Sequence, residues 1–130
     1  MGEQRKSAYA QGIKDYRDEL RFLNEMEQGV RLANQEIIHE RIPGLDKNTI
    51  LALAVSVARQ RASYLEAGLK IGSVGNGVPD AAMVGNLRAK REAYEESRIA
   101  YEALHRAIEV GYIDVAQIDA QLPRSANGSK

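Results

Sequence analysis

The sequence predicts an all-α protein, an elongated antiparallel bundle of three long helices with a short fourth at the C-terminus. Three observations carry that expectation. Pro- and Gly-bearing breaks divide the chain at "RIPGLD" (41–46), "GSVGNGVPD" (72–80) and "VGYIDV" (110–115). Between the breaks, apolar residues recur at three- and four-residue steps, the period of a helix. No stretch of useful length alternates apolar and polar residues as a half-buried strand does.

The first helix is expected over about residues 7–41. Ile13, Tyr16, Leu20, Leu23, Val30 and Ile37 share one face, Ser7 can cap the start, and Pro43–Gly44 stops it. Gly12 and Gly29 lie inside it. Each costs about 1 kcal/mol against Ala, or marks a place where another backbone comes close. The second helix, about 47–71, opens on Asp46 as N-cap. Its first half, "ILALAVSVARQ", is apolar nearly all round and should be the most buried element, while Ala62, Leu65 and Leu69 make the second half amphipathic.

The third helix is expected over about 79–110, with Pro79 in its first turn, where a missing N–H is harmless. It carries two stripes. Leu87, Tyr94, Tyr101 and Ile108 stand at seven-residue steps, and Ala89, Ala93, Ala100, Ala103 and Ala107 form a small-residue line beside them. Arg91/Glu95, Arg98/Glu102 and Glu102/Arg106 are i,i+4 pairs on its polar side, worth a few tenths of a kcal/mol each. A fourth helix, about 115–122, begins with Asp114 and Gln117 spaced as a capping box and ends at Pro123. Residues 1–122 thus read as one domain, and 123–130 as a loose tail.

Composition narrows the function classes. The chain has 18 basic and 18 acidic residues and a net charge of zero. The first 45 residues and the last 52 each hold seven basic and eight acidic side chains, so neither end is built to draw in phosphates. That argues against a nucleic-acid partner; a DNA-associated regulator would need basic patches gathered by dimerisation. The absence of cysteine removes disulfides, thiolate metal sites and cysteine nucleophiles. The longest apolar run, "ILALAVSVA", is far short of the roughly 20 residues of a membrane span. "MGEQRKSAYAQG" has no apolar core of a secretory signal. A cytoplasmic protein is the default expectation.

Helices of roughly 50, 37 and 48 Å joined by short loops should run up, down and up. A rod of that kind has much surface and little interior. The wide apolar face of the third helix and the apolar start of the second exceed what one three-helix layer covers. Either the short fourth helix folds back over them or a second copy does, and a second copy is the expected cover. The expected interface is the seam Leu87, Tyr94, Tyr101 and Ile108, because Tyr is enriched in contact surfaces, with the Ala stripe packing internally.

The chain's two histidines each carry a Glu three residues before them, Glu36/His39 and Glu102/His105. That spacing lets one helix offer a metal two ligands. The pairs resemble those of ferritin-like di-iron proteins, which add a lone Glu from each of two further helices. The resemblance is confined to these two four-residue patterns, and it implies iron or another divalent metal as cofactor. Against it, His39 points away from the apolar stripe of its helix and Glu102 lies on the outer edge of its own. "GSVGNG" has no Lys-Ser/Thr and follows a helix, so it reads as a connection and not a phosphate loop. No nucleophile-elbow pattern is present. The sequence therefore points first to a non-enzymatic assembly, adaptor or structural protein with no cofactor, acting through self-association and a protein partner. A ferritin-like metal-binding oligomer is the alternative.

Overall fold

A computed structural model describes residues 2–120, and every element in it is helical: α1 (Gly2–Arg41), α2 (Lys47–Gly72), α3 (Ala81–Glu109) and α4 (Val115–Ala120). No strand occurs among the described residues. The tail expected at 123–130, and Pro123 as a stop, lie outside them.

α1 begins five residues earlier than Ser7 would place it, because Glu, Gln, Arg and Lys at 3–6 are good helix formers and nothing there breaks the pattern. α2 starts where expected. Thr49 N–H donates to the Asp46 carboxylate at 2.8 Å and Asp46 N–H donates to Thr49 Oγ1 at 2.9 Å, a reciprocal cap. α3 starts two residues later than expected. Pro79 precedes the cap, and Asp80 accepts the Met83 N–H at 2.8 Å. α3 ends in a Schellman turn: Tyr112 N–H reaches Ala107 O at 2.8 Å and Gly111 N–H reaches Ile108 O at 3.1 Å. Gly111 takes φ +82°, the left-handed conformation that such an ending requires.

The expected capping box of α4 forms only by half. Asp114 accepts from Ala116 N–H at 3.0 Å, but the Gln117 side chain turns away to His39, with Nε2 3.2 Å from Nδ1. A tertiary partner has taken the group that local sequence assigns to the cap.

α2 and α3 form an antiparallel hairpin. Leu87 lies 4.0 Å from the position a Cβ would occupy at Gly68, Tyr94 stacks on Tyr64, and Ser97 Oγ donates to Gln60 at 3.2 Å. Residue numbers thus fall along α2 as they rise along α3. Leu53, Val57, Gln60, Tyr64, Ala67 and Ile71 form the spine of the covered side of α2, at alternating four- and three-residue steps, with Ile50, Ala54, Ser56 and Ser63 half-buried beside it. Val57 and Ala67 are buried.

α1 departs from the expected three-helix bundle. Every residue with described burial from 2 to 30 is exposed, and partial cover begins only at Arg31. Its last turns dock on the α3–α4 connection, where Gln35 Nε2 donates to Gly111 O at 2.8 Å. Ile38, Ile42, Leu45, Tyr112, Ile113 and Ile118 line the crevice there, and Ile113 and Ile118 are buried. The core is therefore in two parts, one inside the hairpin and one under the end of α1. Gly12 and Gly29 face open space, so neither marks a close backbone approach within the chain.

Candidate interaction surface

Among the described residues the longest open apolar face is that of α1, from Tyr9 to Ile37. Tyr9, Ile13, Tyr16, Leu20, Leu23, Glu27, Val30, Asn34 and Ile37 follow one another at strictly alternating four- and three-residue steps. Seven of these nine are apolar or aromatic, and all seven are exposed, Tyr9 at 73% and Tyr16 at 62%. Lys14, Asp18, Arg21 and Glu25 occupy the opposite side, so the helix is amphipathic without a surface to lie on. A shallow hollow lined by Arg17, Leu20, Arg21, Asn24, Glu25 and Gln28 lies on the polar flank of α1 and, like the stripe, has no facing wall. Most of this stripe is the face expected to line a bundle, and it lines none among the described residues. Tyr9, Glu27 and Asn34 continue the same step beyond the six residues expected on that face, and their spacing in the sequence carries the full length of the seam.

α2 presents a second open line. Leu51, Val55, Leu65 and Leu69 are exposed, Leu69 at 77%. The expectation that the start of α2 is the most buried element holds on one side only: Val57 is 5% exposed while Leu51 is 62% exposed. An apolar run does not choose its buried face until a partner is placed beside it.

The expected interface seam of α3 is used inside the chain. Leu87, Tyr94, Tyr101 and Ile108 are all half-buried without a second copy. Tyr94 packs against α2, its ring 5.9 Å from that of Tyr64 and its hydroxyl 3.4 Å from Arg61 Nε. Arg61 and Arg98 stand over the Tyr94 ring at 5.4 and 5.9 Å from its centroid. Tyr101 lies against His105 of its own helix. The Ala stripe takes the reverse role from the one expected: Ala89, Ala93, Ala100 and Ala103 are exposed and only Ala107 is half-buried. The physical reason is volume. The hairpin fills its interior with the larger side chains, which remove more apolar area from water.

Of the i,i+4 pairs expected on α3, Arg98–Glu102 closes at 2.7 Å. The Arg98 guanidinium is held above its ordinary pKa, first by the hydrogen bond to Glu102 and then by that carboxylate's charge. A guanidinium is protonated at any ordinary pH, so Arg98 stands beside Tyr94 as a cation.

The two Glu-x-x-His pairs are exposed at all four residues, Glu36, His39, Glu102 and His105. His39 is engaged by Gln117, and His105 Nδ1 lies 3.2 Å from Glu109. Among the described residues no three His, Asp or Glu side chains gather closely enough to hold a metal ion. The chain does not bring the two pairs together by itself. No helix among the described residues is long and apolar enough to cross a membrane. Against protein-family models, curated proteins and solved structures, the chain shows no match.

Proposed function

We propose that this chain is a non-enzymatic assembly or adaptor protein of the cytoplasm, in which the α2–α3 hairpin is a compact head and α1 an interaction arm. It works by binding a further copy of itself and a protein partner. One observation carries this reading: an amphipathic helix of 40 residues that is held at its C-terminal end and leaves its apolar stripe in water. Contiguous exposed apolar surface on a soluble protein marks an interaction site. Leu51, Val55, Leu65 and Leu69 on α2 offer a second surface for a partner distinct from the one on α1.

The competing reading is a metal-binding oligomer in which Glu36/His39 and Glu102/His105 from different copies share an ion. The pairing of both histidines with Glu at the same spacing favours it. Light scattering of the purified full chain tests the first reading. A mass of one 14.4 kDa chain at every concentration would remove it.

A further inference from the structure

We propose that α1 pairs with α1 of a second copy as a two-stranded antiparallel coiled coil, in the register that sets Leu20 across from Leu23 of the other chain. This rests on the assembly reading above and names its occupant and orientation.

The step of the seam selects a long helix as occupant. A strict seven-residue repeat drifts about 20° per heptad around a straight helix, and so about 80° between Tyr9 and Ile37. Only a partner helix that supercoils with α1 stays on the seam for its whole length of roughly 42 Å. The open line on α2 runs from Leu51 to Leu69, about 27 Å, and would leave a third of the seam bare. The hairpin head is also out of the way. Arg31, Gln35 and Ile38, which turn toward the α3–α4 connection, stand roughly 100° around α1 from Val30 and Ile37, and Ile37 remains 57% exposed.

The polar members of the seam select the orientation. In a parallel pair at equal register, Glu27 would meet Glu27 of the second copy inside an apolar seam, two like charges removed from water. In the antiparallel register with Leu20 opposite Leu23, Tyr16 falls opposite Glu27, Tyr9 opposite Asn34 and Ile13 opposite Val30. A phenol O–H then stands across from each polar seam group, donor to carboxylate and donor to amide. The flanking positions agree: Arg17 comes beside Asn24, Glu19 beside Met26, and Gly12 beside Ala33, so no like charges meet. Ile37 falls beside Lys6, whose aliphatic stem can lie over it with the ammonium in water. A slip of one heptad breaks the pattern. One direction sets Glu27 against Leu23, and the other sets Val30 against Lys6 and Asn34 against Gly2 and leaves Ile37 beyond the pair.

The area is sufficient. From the exposed fractions of Tyr9 and Tyr16 each ring offers roughly 100–150 Å². With the five aliphatic members at half exposure, both copies together bury roughly 1,100–1,300 Å², the lower edge of a specific pair. The pair is therefore reversible and concentration-dependent.

Sedimentation of the full chain over a wide concentration range, together with cysteine cross-linking, tests the proposal. The chain has no cysteine of its own, so Ile13→Cys and Val30→Cys can be made in separate preparations. Mixed and mildly oxidised, they should yield a disulfide-linked pair, whereas Ile13→Cys alone should yield none. Leu20→Asp should weaken association on the order of tenfold or more, with helical content retained because α1 is already exposed. Leu65→Ser with Leu69→Ser should leave association unchanged. A dimer that cross-links through Ile13→Cys alone, survives Leu20→Asp, or is lost in the α2 variant overturns this pairing while the assembly reading stands. A wild-type chain that stays monomeric throughout overturns both.

Discussion

Replacing Tyr94 by Ala separates an intramolecular role for the α3 seam from an intermolecular one. In the structure the ring is half-buried, stacked on Tyr64 and flanked by Arg61 and Arg98. Half burial of an aromatic of about 200 Å² contributes roughly 2.5 kcal/mol at about 25 cal/mol per Å². The ring–ring contact adds about 0.5–1.5 kcal/mol, and an exposed cation–π contact about 0.5 kcal/mol. These contributions overlap, so the expected loss is about 2–4 kcal/mol, near the lower part of the range for large-to-Ala changes. For a domain of this size each kcal/mol moves the Tm by roughly 3–5 °C, so the variant should melt roughly 6–20 °C below wild type. Tyr94→Phe keeps the ring and loses only a long 3.4 Å contact to Arg61, and it should melt close to wild type. The assay is thermal unfolding followed by circular dichroism at one fixed protein concentration, with sedimentation alongside. If Tyr94→Ala melts within a degree or two of wild type but sediments as a smaller species, the seam serves an interface between copies and its intramolecular assignment is wrong.

Three further outcomes follow from the same geometry. Gly111→Ala should lower stability by about 1–2 kcal/mol, because φ is +82° there and a methyl would meet the Arg31 side chain at 3.3 Å; urea unfolding measures it, and an unchanged midpoint would contradict the Schellman ending. Asp46→Ala should cost about 1 kcal/mol through loss of the reciprocal cap with Thr49, while Asp46→Asn should recover most of it. His39→Ala and His105→Ala should each shift stability by less than about 0.5 kcal/mol, since both side chains are exposed; elemental analysis of the wild-type chain should find no metal in proportion to protein, and one ion per chain or per pair would revive the carboxylate–histidine reading.

The sequence alone determined the elements of this protein. Pro43–Gly44, the 72–80 connection and Gly111 interrupt the backbone wherever they stand, and Asp46 acts on its own first turn, so breaks and caps are legible without knowing the neighbours. Periodicity likewise determined that α1, α2 and α3 are amphipathic. What it left open was which of two available stripes each helix turns inward. On α3 the Tyr seam and the Ala line are both coherent, and the structure buries the first because Tyr64, Val57 and Ala67 of α2 complement large side chains across the hairpin. On α2, Leu65 and Leu69 read as an inner face and stand in water, because Tyr64, Ala67 and Ile71 one or two positions away are the covered side, with Tyr64 stacked on Tyr94 of α3. Gln117 reads as a cap and bonds His39 across 78 residues of chain. Only the tertiary structure decided that α1 is anchored at one end and bare along the rest. A helical stripe records that apolar area must be covered, but the free energy of covering it is nearly independent of what does so. Spacing along one chain therefore cannot say whether the cover is a neighbouring helix or a second molecule.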